Sequence, residues 1–177
     1  QVYSKSPAKL SEFGHPQGLG IPANTFTGFL MISAVVFGAF ISFSGIYADK
    51  IGRRRFLIWV TFAMLAFGLL MPQFLTHGSP ASVLAFLLIG MALMGLTFGP
   101  MAALLPELFP TEVRYSGASL AYNFAAIIGA SIATLVAIEL NAYYGIIGVG
   151  LYLAANCVLT LLALNSTHET KDVDLVD

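Results

Sequence analysis

The chain has 177 residues, 58% of them hydrophobic and 10% charged, with a mean hydropathy of +0.84; a soluble domain carries about a quarter charged residues, so an ordinary water-soluble globular fold is excluded. Eight Lys and Arg against nine Asp and Glu leave a net charge of −1, which offers no basic field for nucleic acid. One cysteine, Cys157, and three scattered histidines give no internal disulfide and no metal or cofactor site to expect.

Uncharged runs cover residues 13–48, 56–106, 115–138 and 140–167. Crossing a hydrocarbon core of ~30 Å takes about 20 helical residues, so turn signals must divide these runs into separate spans. The expected architecture is an all-α membrane protein of five transmembrane helices at about 26–47, 56–75, 81–105, 117–138 and 145–164. Residues 1–25 read as the end of a preceding helix and an external loop, 26–166 as the transmembrane bundle and 167–177 as a cytoplasmic tail. Thr76-His77-Gly78-Ser79-Pro80 is a breaker-rich turn between the second and third spans. Glu139, Asn141 and the Tyr143-Tyr144 pair mark a polar and aromatic interface between the fourth and fifth.

Lys50, Arg53, Arg54, Arg55, Arg114 and Lys171 fall on one side of this arrangement, and Lys5 and Lys9 on the other. Because cytoplasmic loops retain Lys and Arg, the amino end is expected outside and the tail inside, as in a multi-pass protein of a bacterial inner membrane. A chain that starts at Gln1, outside and without a signal sequence, is expected to follow an upstream membrane-crossing segment.

The connection after the first span reads Gly45-Ile46-Tyr47-Ala48-Asp49-Lys50-Ile51-Gly52-Arg53-Arg54-Arg55. An acid, a glycine and three arginines in so short a loop predict a tight turn at Gly52 that aims Asp49 and the arginines in different directions. Arg53 to Arg55 alone would anchor the loop, so Asp49 needs a reason of its own. Here the sequence resembles the major facilitator superfamily, whose loops between the second and third helices of each six-helix half carry G-x-x-x-D-[RK]-x-G-[RK]-[RK]. The resemblance extends to Gly99-Pro100 and to the stretch from Pro106-Glu107-Leu108-Phe109-Pro110-Thr111-Glu112 through Val113-Arg114-Tyr115-Ser116-Gly117. Tyr115 to Leu120, followed by Tyr122-Asn123, is most similar to the metabolite:proton symporter family.

That resemblance implies that the five spans are helices eight to twelve of a twelve-helix fold. The chain would be the carboxyl-terminal half of a secondary transporter, a fragment whose partner is the missing amino-terminal half. It implies proton-coupled uptake of an organic acid or zwitterionic metabolite by alternating access, with a small-molecule substrate, a proton as coupling ion and the lipid bilayer as surroundings. A cytoplasmic gating network of Asp49, Gly52, Arg53, Arg54, Glu107 and Arg114 is expected. In it Arg53 or Arg54 meets Glu107, Arg114 completes the set, and Asp49 points away toward the absent half. The tail at His168-Glu169-Thr170-Lys171 is similar to the ending of sugar porters, which keeps a sugar-type facilitator as the alternative. An intramembrane enzyme is the other class, and neither a G-x-S-x-G nor an H-E-x-x-H pattern occurs to support it.

Three features of the spans bear on mechanism. Gly99 and Pro100 inside the third predict a bend that either fits a curved bundle or serves as a hinge. Gly117, Ala121, Ala125, Gly129, Ala133 and Ala137 form a row of small residues at four-residue spacing in the fourth, which suits close helix contact. Polar side chains at depth, Ser33, Ser42, Ser44, Tyr122, Asn123 and Asn156, either bond a neighbouring helix or meet substrate, with Tyr122 and Asn123 the candidates for the substrate pathway. No acid lies at mid-depth, and Glu139 sits at a helix end, so a proton carrier is expected upstream of this stretch.

Overall fold

Apolar helices in this chain bury little of their surface against one another, because most of it is suited to lipid. The computed structural model describes residues 21–76 and 79–166. The expected loop at 1–20 with Lys5, Lys9 and His15, the turn centre at His77 and Gly78, and the tail at 167–177 lie outside the described residues. The described chain is all helix and turn: α1 (Ala23–Ile51), α2 (Arg53–Thr76), α3 (Pro80–Glu107) and α4 (Arg114–Ser166).

All four are long and apolar enough to cross a membrane. At ~1.5 Å per residue the 29 residues of α1 reach roughly 43 Å, beyond the ~30 Å hydrocarbon core. Residues 23–25, expected in the external loop, therefore belong to α1. Pro22 precedes that helix, and its carbonyl accepts the first backbone hydrogen bond from Phe26 at 3.0 Å. Ser79 does the same for α3 through Val83 at 3.1 Å, with Pro80 at the first helical position, where its missing N–H costs nothing.

The expected five helices are four helical runs, and the boundary between the last two spans shifts. The fourth and fifth expected spans share one 53-residue helical run, and Glu139 to Tyr144, expected as an interface between them, are helical. The division falls on Gly145 alone, at φ 66° and ψ −163°. Leu140 and Gly148 show what that residue does: a methyl group on Gly148 would sit 3.0 Å from the Leu140 carbonyl. In an unbroken helix eight residues rise about 12 Å, so the chain folds back at Gly145 and α4 is a hairpin of two arms, 114–144 and 146–166. A glycine achieves this without a loop because the left-handed region carries no Cβ penalty.

Two apolar clusters hold opposite ends of the bundle. Ile21, Phe26, Leu75 and Val83 gather the start of α1, the end of α2 and the start of α3, with Ile146 packed against them. Leu57, Leu104 and Leu164 gather the start of α2, the end of α3 and the end of α4. Phe86, packed against the first cluster, stacks on Phe67 with centroids 4.9 Å apart and planes at 17°. The closest helix pairs are α1 with α3 and α2 with α4, and each crosses at glycine. A methyl group on Gly95 would lie 2.6 Å from the Phe37 carbonyl, and one on Gly150 2.5 Å from that of Gly68. Without a hydrophobic drive between helices in lipid, this backbone proximity is what dispersion requires.

The row of small residues in the first arm of α4 behaves differently. Gly117 packs under the Phe109 ring, yet Gly129 has nothing within 4 Å and Ala125 is exposed. Every residue from 122 to 132 is exposed, so over that stretch the expected tight contact has no partner among the described residues.

Candidate functional site

The charged residues meet at the end of the bundle formed by Leu57, Leu104 and Leu164. A single residue, Gly52, joins α1 to α2, with φ 107° and ψ 129°. Its N–H donates to the Ala48 carbonyl at 2.9 Å and its own carbonyl accepts from Phe56 at 3.0 Å. Because that φ is strained for any residue with a Cβ, glycine alone fits a one-residue corner of this kind.

The corner brings the last turn of α1 against the first of α2. Arg53 donates from Nε and Nη2 to Asp49 Oδ1, both at 3.1 Å, and Nη1 donates to Glu107 Oε1 at the end of α3. One guanidinium thus ties three helix ends. Its two carboxylates are unequal: the Asp49 side chain is 63% exposed, against 13% for Glu107. Water screens the first pair and largely spares the second. Glu107 Oε2 is buried and has no hydrogen-bond partner among the described residues.

Of the two arginines expected at Glu107, Arg53 is the one that meets it, and Arg54 turns to the end of α4. It donates to the carbonyls of Leu164 at 2.7 Å and Asn165 at 3.3 Å and to Asn165 Oδ1 at 3.2 Å. Carbonyls at a helix carboxyl end lack partners and carry partial negative charge, which a cation satisfies. Arg114 does not complete the network. It begins α4 and folds back on the loop before it, donating to the Phe109 carbonyl at 3.4 Å and Thr111 Oγ1 at 3.2 Å. Asp49 was expected to point away, and its Oδ1 instead closes an i, i+4 pair across Gly52, leaving the carboxylate exposed.

Between α3 and the first arm of α4 lies a cleft of about 350 Å³, lined by Phe98, Met101, Leu105 and Pro106 on one side and Ala118, Ser119, Tyr122 and Asn123 on the other. Both residues singled out for a substrate pathway therefore line the same cleft. Asn123 Nδ2 donates to the Ser119 carbonyl at 2.8 Å and reaches Ser119 Oγ at 3.4 Å. Its amide is thereby turned so that the donors face the helix, which leaves the carbonyl oxygen as the group to present. The wall is otherwise apolar, the usual make-up of a small-molecule site with few polar groups.

Gly99 and Pro100 sit in α3 without interrupting it. Gly99 abuts α1, since a methyl group there would meet Ser44 Oγ and lie 2.7 Å from the Ile41 carbonyl. Ser44 is fully buried and its hydroxyl lies 2.8 Å from the Ile41 carbonyl and 3.2 Å from that of Gly95 on α3. This interhelical contact settles Ser44 as a helix-packing residue. Ser33 bonds the Phe29 carbonyl in its own helix at 2.7 Å, and exposed Asn156 bonds that of Tyr152 at 2.8 Å. The Gly68–Gly150 crossing and the Arg54 cap went unread in the sequence. Paired glycines at mid-span, and an asparagine at the end of the last span, are the signals that point to them.

The sequence profile of the Sugar (and other) transporter family matches residues 17–177. A Haemophilus influenzae protein named, provisionally, a metabolite transport protein is 67% identical over all 177 residues, which cover 40% of its own length. The "Inner membrane metabolite transport protein YhjE" of Escherichia coli K12 is 51% identical over 98% of this chain and 39% of its own. The "Proline/betaine transporter" of Salmonella typhimurium is 31% identical over 82% of this chain and 29% of its own. The chain thus spans about two fifths of the length of the first two. No solved structure matches it.

Proposed function

The chain belongs to the Sugar (and other) transporter family, and on that premise we propose that it forms the carboxyl-terminal bundle of a proton-coupled transporter for small zwitterionic or organic-acid metabolites, working by alternating access in a bacterial inner membrane. The observation that carries the reading is Arg53, which joins the ends of α1, α2 and α3 through Asp49 and Glu107 across a one-residue corner. Such a clasp makes the basic end of the bundle one rigid body, as rocking of two bundles about a central site requires.

In this reading the remaining three fifths of the transporter closes against α1 and the first arm of α4, and the basic end faces the cytoplasm. Asp49, exposed beside Arg53, is the group available to a helix amino end of the opposite bundle, where partial positive charge favours a carboxylate. Gly99 and Pro100 lie where α3 would bend between states. The cleft beside Tyr122 and Asn123 forms part of the substrate path, with the Asn123 carbonyl as an acceptor for an ammonium or hydroxyl group and Tyr122 as an aromatic wall. The described spans hold no acid at mid-depth, so in this reading the proton carrier belongs to the remainder of the transporter.

Names of relatives support the substrate class: proline and betaine are zwitterions, and an Acinetobacter baylyi relative, 32% identical over 75% of this chain, is a "Cis,cis-muconate transport protein". The test is uptake by the full-length transporter in proteoliposomes with an imposed pH gradient. Proline, betaine, a dicarboxylate and a hexose are offered in turn. Gradient-driven accumulation of a zwitterion or an acid, with KM raised at least fivefold in Asn123→Ala, is the expected result. Accumulation of the hexose alone, or transport indifferent to the pH gradient, refutes the reading.

A further inference from the structure

Three arginines open α2, and the contacts at the basic end occupy two of them: Arg53 lies between Asp49 and Glu107, and Arg54 lies on the last carbonyls of α4. Arg55 is exposed and makes no hydrogen bond or ion pair among the described residues. One turn along the same face stands Trp59, the only tryptophan of the chain, 74% exposed. Arg55, Ile58, Trp59 and Phe62 line a shallow groove of about 190 Å³. On the other flank of Ile58 and Phe62 runs a second groove of about 320 Å³, closed by Leu162 and Asn165 of the second arm of α4.

The two grooves thus flank one ridge and start at one charged end. From Arg55 to Phe62 is about 10 Å along the helix axis, a third of the ~30 Å hydrocarbon core. An occupant must therefore be apolar and forked along its length and anionic at its tip. We propose that this is a binding site for an anionic diacyl phospholipid of the leaflet at the basic end. Its phosphate pairs with the Arg55 guanidinium, the Trp59 indole lies at the level of the glycerol, and one acyl chain enters each groove.

Charge complementarity selects this occupant. A guanidinium matches a phosphate with two parallel hydrogen bonds, tryptophan favours the headgroup boundary, and basic pockets between membrane helices suit anionic headgroups. A zwitterionic headgroup would bring an ammonium beside Arg54 and Arg55, and no carboxylate is among the described residues that line either groove to receive it. The surfaces around both grooves, from Trp59 and Phe62 to Val158, Leu159 and Leu162, are large, apolar and exposed, as lipid-facing surfaces are. The proposal rests on the membrane placement of the chain and is independent of what is transported.

Trp59 is itself the reporter. The full-length transporter, retaining Trp59 as its one tryptophan, is reconstituted in phosphatidylcholine containing either brominated phosphatidylglycerol or brominated phosphatidylcholine. Bromine quenches the indole only in contact, so the two quenching curves give a relative affinity. Phosphatidylglycerol is expected to be preferred roughly fivefold, as one basic residue at an anionic surface implies. The preference is expected to vanish in Arg55→Gln, persist in Arg55→Lys and shrink with salt. Lys50→Gln removes the same charge from the same connection on α1, and the preference should survive it. Equal quenching by the two lipids, a preference that Arg55→Gln leaves intact, or equal losses in Arg55→Gln and Lys50→Gln would each overturn the site. Absence of quenching by either lipid would overturn the membrane placement along with it, whereas a failed uptake assay would leave these curves unchanged.

Discussion

Arg53 shows how far residue chemistry can be read before a fold is known. The sequence brings an arginine cluster and Glu107 to the same side of the membrane within a few residues of helix ends, so a pair between them was to be expected. Which arginine makes the pair depends on the φ of Gly52, which sets the phase of α2 against α1. Arg54, one residue later and about 100° round the helix, is carried to the end of α4 instead. Arg114 is lost to the network through its own loop, whose turn offers the Phe109 carbonyl and Thr111 hydroxyl at closer range. A double-mutant cycle separates the two partners of Arg53. Arg53→Gln with Glu107→Gln should show a coupling of roughly 1–3 kcal/mol in unfolding of the purified transporter, as a half-buried charged hydrogen bond does. Arg53→Gln with Asp49→Asn should show less than about 1 kcal/mol, as exposed pairs do. The reverse order would make Asp49 the structural partner and Glu107 the incidental one.

At the scale of elements, the apolar runs made the helices legible and the glycines decided how they pack. Periodicity could not show which glycines would matter. Gly117, Ala121, Ala125 and Gly129 form the more regular row, but the contacts fall at Gly95, Gly99, Gly68 and Gly150, where helices cross. The reversal at Gly145 was obscured by the polar residues before it, whose backbone stays helical. Graded substitutions test the crossing argument. Gly95→Ala places a methyl 2.6 Å from a backbone carbonyl of α1, which can yield only if the helices part. It should destabilise by about 2 kcal/mol, within the range of overpacked cores. At Gly90 the nearest obstacle is the edge of the Phe67 ring at 3.3 Å, a side chain able to turn. Gly90→Ala should therefore stay within about 0.5 kcal/mol, the better helix propensity of alanine offsetting the crowding. Thermal unfolding in detergent measures both, and equal shifts would mean that backbone approach is not what holds α1 to α3.

For the molecule as a whole, the distribution of exposed residues separates two surroundings. Exposed positions of α2 and of the second arm of α4 are dominated by Trp59, Phe62, Leu69, Leu70, Leu151, Leu159 and Leu162, which lipid covers as well as protein would. The first arm of α4 is different. It is exposed around its whole circumference over 122–132, where Asn123, Ala125, Gly129 and Ser131 stand among Phe124, Ile127, Ile128 and Ile132. Small and polar residues gain nothing from acyl chains, whereas they allow another helix to approach to backbone distance. On the proposed reading the small and polar positions of this arm face the rest of the transporter, the chain spanning about two fifths of the length of the two longer relatives. Gly129→Leu should then leave the membrane abundance of the full-length transporter near normal, since a Cβ at Gly129 meets no other described group within 4 Å. It should lower uptake more than tenfold by holding the two bundles apart. Leu159→Ala, a change of similar size on the second arm, should keep uptake within about twofold, because fluid lipid refills the space. Full uptake in Gly129→Leu would show that the first arm faces lipid after all, and the closing surface would have to be sought on α1 alone.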